Sequence, residues 1–200
     1  MRAGNRSKDE YEVSNVPFSR RGARADEFLQ ALKRIWTDDI VEFKGEFYRV
    51  PPSKIAPKPV QKPHFPIYLG GFSAKTLQRI VEYANGWIGV AVGADPESQP
   101  CLPLEHLENS VKLLRDQARR VGKDPDAFKV LLLTSPSITD SKQGSQRLPL
   151  TGTIEQVSGD LKRMEAIGVD HVILGFAFSA ENRDMSKITY TAKQLSKSVK

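Results

Sequence analysis

The 200-residue chain has a single cysteine, Cys101. Neither an intrachain disulfide nor a cysteine-built zinc ribbon can form, and a reducing compartment, by default the cytoplasm, is expected. Long apolar runs are missing as well. The longest, around Val130–Leu133 and Val172–Phe178, fall well short of the roughly 18 residues a membrane-spanning helix needs. The N-terminal stretch is polar and charged, unlike a secretory signal. Histidine is scarce, with three in all, and no two stand at ligand spacing, so a metal site has no support. Absent too are the Gly-Lys-Ser/Thr ending of a P-loop, the spaced glycines of dinucleotide folds and a nucleophile elbow.

What is present is a globular composition, 39% hydrophobic and 27% charged, at a length that suits one domain. A net charge of +6 raises the question of a polyanionic partner. The basic residues are dispersed: Lys54, Lys58 and Lys62 lie among prolines, Arg20, Arg21 and Arg24 open a helix, and Lys187, Lys193, Lys197 and Lys200 end the chain. No aromatic residues interleave with them in sequence as a stacking platform requires. A solvated surface is the reading, with neither nucleic acid nor membrane as partner.

From Ser19 to Thr37 the apolar residues Phe28, Leu29, Leu32, Ile35 and Trp36 form one stripe, which predicts a helix. Val41 and Phe43, then Phe47, Tyr48 and Val50, flank Lys44-Gly45 as a small hairpin. Six of the thirteen prolines follow between Pro51 and Pro66, excluding helix and central strand alike. Beyond them a rhythm of strand, turn and helix repeats. Ile67–Leu69, Trp87–Val92, Lys129–Thr134 and His171–Phe176 read as strands. The helices between carry Leu77 and Ile80, Leu104 to Val121 closed by Gly122, and Ile154 to Ile167. Thr153 with Gln156 makes a capping box for the last of these, and Gly168 ends it. A final helix runs from Met185 to Val199. Because the strands read as continuous apolar runs, the class is α/β with a parallel sheet covered on both faces. Residues 1–66 carry the first helix, hairpin and proline connection, and 67–200 carry four strand-helix repeats. The segment from Ser135 to Gly152 reads as one long loop.

In such folds ligands gather at the carboxyl ends of strands. There Gly70-Gly71-Phe72-Ser73 joins a strand to a helix, with glycines that let backbone approach a ligand and a helix start that attracts an anion. A tight turn of this kind needs no ligand, so the motif alone leaves both readings open. Other candidates are weaker. His171 lies at the amino end of its strand, His64 in the proline segment and His106 one turn into a helix. Ser135 has no base paired with it, Asp38 and Asp39 read as a helix-ending loop, and Cys101 has no cationic neighbour to activate it.

Taken in order, Val16-Pro17-Phe18 with Arg21-Gly22, Ala31-Leu-Lys-Arg-Ile-Trp-Thr37, Phe43-Lys-Gly-Glu-Phe-Tyr48, Pro57-Lys-Pro59, Pro66-Ile-Tyr-Leu-Gly-Gly71 and Asn85-Gly-Trp87 resemble the luciferase-like monooxygenases. Gly152-Thr-Ile-Glu-Gln156 and Gly168-Val-Asp-His-Val172 look like that family's last helix and strand. The resemblance implies part of a (β/α)8 TIM barrel and a flavin- or deazaflavin-dependent oxidoreductase or monooxygenase using FMN or coenzyme F-420 on a small-molecule substrate. It implies that Gly70, Gly71, Phe72 and Ser73 hold the cofactor phosphate. Asn85 stands where the family usually has Asp, and the family's glycine-rich strand end is reduced to Gly4-Asn5-Arg6. A full barrel needs about 250 residues, and four repeats match only the family's second half, so no catalytic residue carries over. The open half implies a longer chain, a partner or a second copy, and the alternative function is a non-catalytic flavin-binding or assembly protein.

Overall fold

The computed structural model describes residues 8–91, 103–176 and 184–198. It opens with α1 (Lys8–Val13), a mixed-charge turn that buries nothing and therefore shows no apolar stripe in the sequence. Helix α2 (Arg21–Thr37) starts later than its periodicity suggests because Arg20 takes a left-handed conformation, φ 58°. The hairpin β1 (Val41–Lys44) and β2 (Arg49–Ser53) is antiparallel. Its turn is held by Glu27 of α2, whose carboxylate accepts the amides of Glu46, Phe47 and Tyr48 at 2.9, 2.8 and 2.7 Å. Strand β2 takes in Pro51 and Pro52, tolerated because it has one partner and its other edge needs no donors. The proline connection then packs back on α2: Lys58 Nζ donates to the Ile35 carbonyl at 2.7 Å, and His64 and Phe65 flank Trp36.

The main sheet begins with β3 (Tyr68–Gly70), followed by α3 (Ala74–Tyr83), β4 (Gly86–Ala91), α4 (Leu104–Arg120) and β5 (Lys129–Thr134). The expected long loop contains a two-residue parallel pair, β6 (Ser137–Ile138) with β7 (Thr151–Gly152). After it come α5 (Ile154–Ile167), β8 (His171–Leu174) and α6 (Met185–Ser198). The order β3-β4-β5-β8 is parallel throughout and follows the chain. The last residue of β3 is level with the first of β8, through the pairs Gly70↔Ile88, Ile88↔Leu131 and Leu131↔His171. Such a stagger is what tilted barrel strands require.

Alternation sorts the sheet into two faces. Leu69, Trp87, Val130 and Leu132 are buried with Leu77, Ile80, Val111, Leu114, Val157 and Met164 of the helices. Tyr68, Ile88, Val90, Leu131 and Leu133 point the other way and are half-buried, while Ile173 is 42% exposed. The expected cover therefore exists on the helix side, and the described residues leave the opposite apolar face open. The apolar runs look continuous because a closed barrel would bury both sets. Helices α2 and α3 run side by side in the same direction, since Asp26 pairs with Arg79 and Gln30 bonds Tyr83 at 3.1 Å. No described helix is long and apolar enough to cross a membrane.

Candidate functional site

At the carboxyl end of β3 the chain turns sharply into α3. Gly71 sits at φ +123°, where an added Cβ would lie 3.1 Å from Thr76 Cγ2; backbone angle and space both call for glycine. Ser73 is the N-cap, its Oγ accepting the Thr76 amide at 3.2 Å and meeting the Thr76 hydroxyl at 2.9 Å. The Leu77 amide bonds the Ser73 carbonyl at 3.0 Å. That leaves the amides of Phe72, Ser73, Ala74 and Lys75 with no acceptor among the described residues. Ser73, Ala74 and Lys75 are exposed. Consecutive free amides at a helix start form a cradle for a phosphate, reinforced by the helix dipole.

The turn rests on an aromatic floor. Trp87, fully buried, donates its indole Nε1–H to the Gly71 carbonyl at 2.8 Å. The Phe72 ring meets Trp87 edge-on at 5.1 Å and lies 5.6 Å from the His106 ring of α4. Trp87 and His106 were not legible as neighbours of this turn. Only the Asn85-Gly-Trp87 block hinted that the indole had a fixed place.

Electrostatics single out α3 among the four helices behind the main sheet. Its first turn has no acid and carries Lys75, whereas α4 has Glu105 and α5 has Glu155 there. At the start of α6, Asp184 accepts the amides of Ser186 and Lys187 at 3.0 and 3.2 Å. Its own backbone amide and the Thr153 hydroxyl hold Glu155 below the usual carboxylate range. The Ser186 hydroxyl and the Lys187 amide do the same for Asp184. The α5 and α6 starts already use amides on carboxylates, and with Glu105 in the first turn of α4 all three repel further negative charge.

The remaining candidates fall elsewhere. Ser135, 2% exposed, donates its hydroxyl to the Gly175 carbonyl at 2.6 Å and ties β5 to the end of β8. His171 is exposed at the amino end of β8, away from this turn. His64 packs on Trp36, and Asp38 caps α2 with its side chain on Arg34 at 2.8 Å. Cys101 and Gly4-Asn5-Arg6 lie outside the described residues. Among those residues no three His, Cys, Asp or Glu side chains gather as metal ligands. The arginines at the start of α2 are spent locally: Arg20 pairs with Glu46, and Arg20 and Arg24 stack on Phe47, as Arg21 does on Phe18. Sequence order had hidden these aromatic partners.

The model of the luciferase-like monooxygenase family matches residues 4–148. An uncharacterized protein of Mycobacterium tuberculosis is 33% identical over 168 residues, which are 84% of this chain and 47% of the relative. The FMNH2-dependent dimethylsulfone monooxygenase of Pseudomonas putida is 36% identical over 83 residues, 40% of this chain and 23% of that protein. Among solved structures, an F-420-dependent secondary alcohol dehydrogenase in complex with an F-420–acetone adduct superposes with a TM-score of 0.77. It shares 18% identity, and the match covers 100% of this chain and 68% of that one. The chain spans about half the length of the curated relatives it matches first.

Proposed function

Because the chain belongs to the luciferase-like monooxygenases, we propose that it forms the phosphate-anchoring half of a (β/α)8 oxidoreductase that acts on a small molecule with FMN or coenzyme F-420. The observation that carries this reading is the row of free amides from Phe72 to Lys75 beyond Gly71, at the strand end where such barrels bind ligands. A phosphate fits there, because Gly71 removes the Cβ that would crowd the turn and the first turn of α3 carries no carboxylate. The flavin or deazaflavin ring, when bound, supplies the redox chemistry. The chain's own part is to bind and orient: the four amides fix the phosphate, Ser73 holds the α3 start in register, and Trp87 with Phe72 closes the core beneath it. A relative named for FMN and a structural neighbour named for F-420 are both consistent with this reading.

The open apolar face, with β3 and β8 as sheet edges, calls for a complementary half barrel, from a second copy or from further chain. A lone cysteine suits a reducing cytoplasm. The second reading is a non-catalytic flavin-binding or assembly protein, for which the phosphate cradle alone would suffice. Cofactor titration of the wild-type chain and of Gly71→Glu, followed by fluorescence quenching, tests the anchor. The wild type is expected to bind FMN or F-420 and the variant neither. Equal binding by the two would reject the assignment, and binding without turnover by the reconstituted barrel would favour the second reading.

A further inference from the structure

The indole of Trp87 lies beneath the diglycine turn, contributing one hydrogen bond to a carbonyl. The Gly71 carbonyl is drawn 2.8 Å from Nε1 of a side chain that has no solvent exposure. In a planar trans peptide the C=O and the following N–H point in opposite directions. A Gly71 carbonyl directed into the core therefore turns the Phe72 amide out of it, toward the strand end where the Ser73, Ala74 and Lys75 amides are exposed. The indole itself is fixed. A Cβ at Gly89, the next residue of β4 on the same face, would lie 3.3 Å from Trp87 Cζ2 and 3.4 Å from Phe72 Cζ, so glycine there makes room for both rings. Phe72 then closes the assembly edge-on against Trp87, its plane at 86° to the indole.

We propose that Trp87 is a positioning residue of the anion site, its indole N–H orienting the Gly71–Phe72 peptide so that the Phe72 amide donates to the bound phosphate. This rests on the cofactor-anchor reading above. It goes further in assigning a buried side chain, the indole of Trp87, to the site. A merely structural tryptophan would set stability through its ring volume, and its N–H would be interchangeable with an apolar group once the ring shape is kept.

The test uses the full chain in a Trp36→Phe background, with β-(3-benzothienyl)alanine in place of tryptophan at 87, a side chain of the same shape without the N–H. FMN and F-420 affinities are measured with the Phe72 and Ala74 amide resonances, alongside Gly71→Glu. Binding is expected to weaken about tenfold, as loss of one hydrogen bond to a charged group implies, and the Phe72 resonance to lose its response to ligand while Ala74 keeps its own. Unchanged affinity with an unchanged Phe72 response would overturn the role of Trp87. If Gly71→Glu still abolished binding in that case, the anchor itself would stand. A parent chain that binds neither cofactor would overturn both.

Discussion

Replacing Arg147 with methionine asks whether the segment after β5, at the ligand end of the sheet, is held by a buried ion pair. The guanidinium meets Asp160 of α5 through hydrogen bonds of 2.6 and 2.8 Å. The two side chains are 18% and 7% exposed. Arg147 also donates to the Thr151 carbonyl at 2.9 Å. Asp160 accepts the Leu150 amide at 2.7 Å and so holds a buried leucine at φ 60°, a conformation that costs about 1–3 kcal/mol. Exposed pairs such as Lys112–Glu108 are worth roughly 0–1 kcal/mol. Stranding a buried carboxylate is different, at about 3–5 kcal/mol. At roughly 2–4 °C per kcal/mol for a chain of this size, the Tm should fall by about 6–20 °C, against about 4 °C or less for Lys112→Met. Thermal and urea unfolding followed by circular dichroism measure both. The double variant Arg147→Met/Asp160→Leu should recover only part of the loss, since an apolar pair of similar volume replaces the ions but the buried Leu150 amide loses its acceptor. A penalty below about 1 kcal/mol for Arg147→Met would refute the reasoning, because the pair would then be screened like a surface one.

Ser73→Ala removes the hydroxyl that caps α3 and should cost about 1 kcal/mol in urea unfolding; cofactor affinity should fall with it, as the first turn frays. A pH dependence follows from Asp170. Burial disfavours its charge, but Lys129 at 2.7 Å and the Val130 amide at 2.8 Å outweigh burial and hold its carboxyl below the ordinary value. The stabilisation is therefore present above about pH 4 and is lost as the pH falls through the depressed value. The stability gap between wild type and Asp170→Asn should shrink in acid, and a gap that stays constant from neutral pH to about pH 2 would contradict the assignment.

Legibility followed the range of the interactions. Local signals were readable: Thr153 and Gln156 form the capping box, Gly168 ends α5 at φ 101°, and Lys129–Thr134 is a strand with the expected bounds. Contacts across the fold were not. Nothing near Gln143 announces that its amide and carbonyl bond Gln156 at 2.9 and 2.8 Å, the brace that orders the supposed loop. Nor does sequence place Phe47 under Arg20 and Arg24. The diglycine turn was visible as a motif because glycine at a positive φ leaves a residue-type trace. Its aromatic floor was hidden because Trp87 and Phe72 look like ordinary core residues.

The phosphate anchor is tested most directly by comparing FMN with riboflavin, and F-420 with its dephosphorylated deazariboflavin core, on the same protein. Several charge-assisted amide bonds to phosphate should make the phosphorylated form bind at least about a hundredfold more tightly, and Gly71→Glu should erase that difference. Equal affinity for FMN and riboflavin, and for F-420 and its core, would contradict the account, because the turn would then contribute nothing to holding the phosphate.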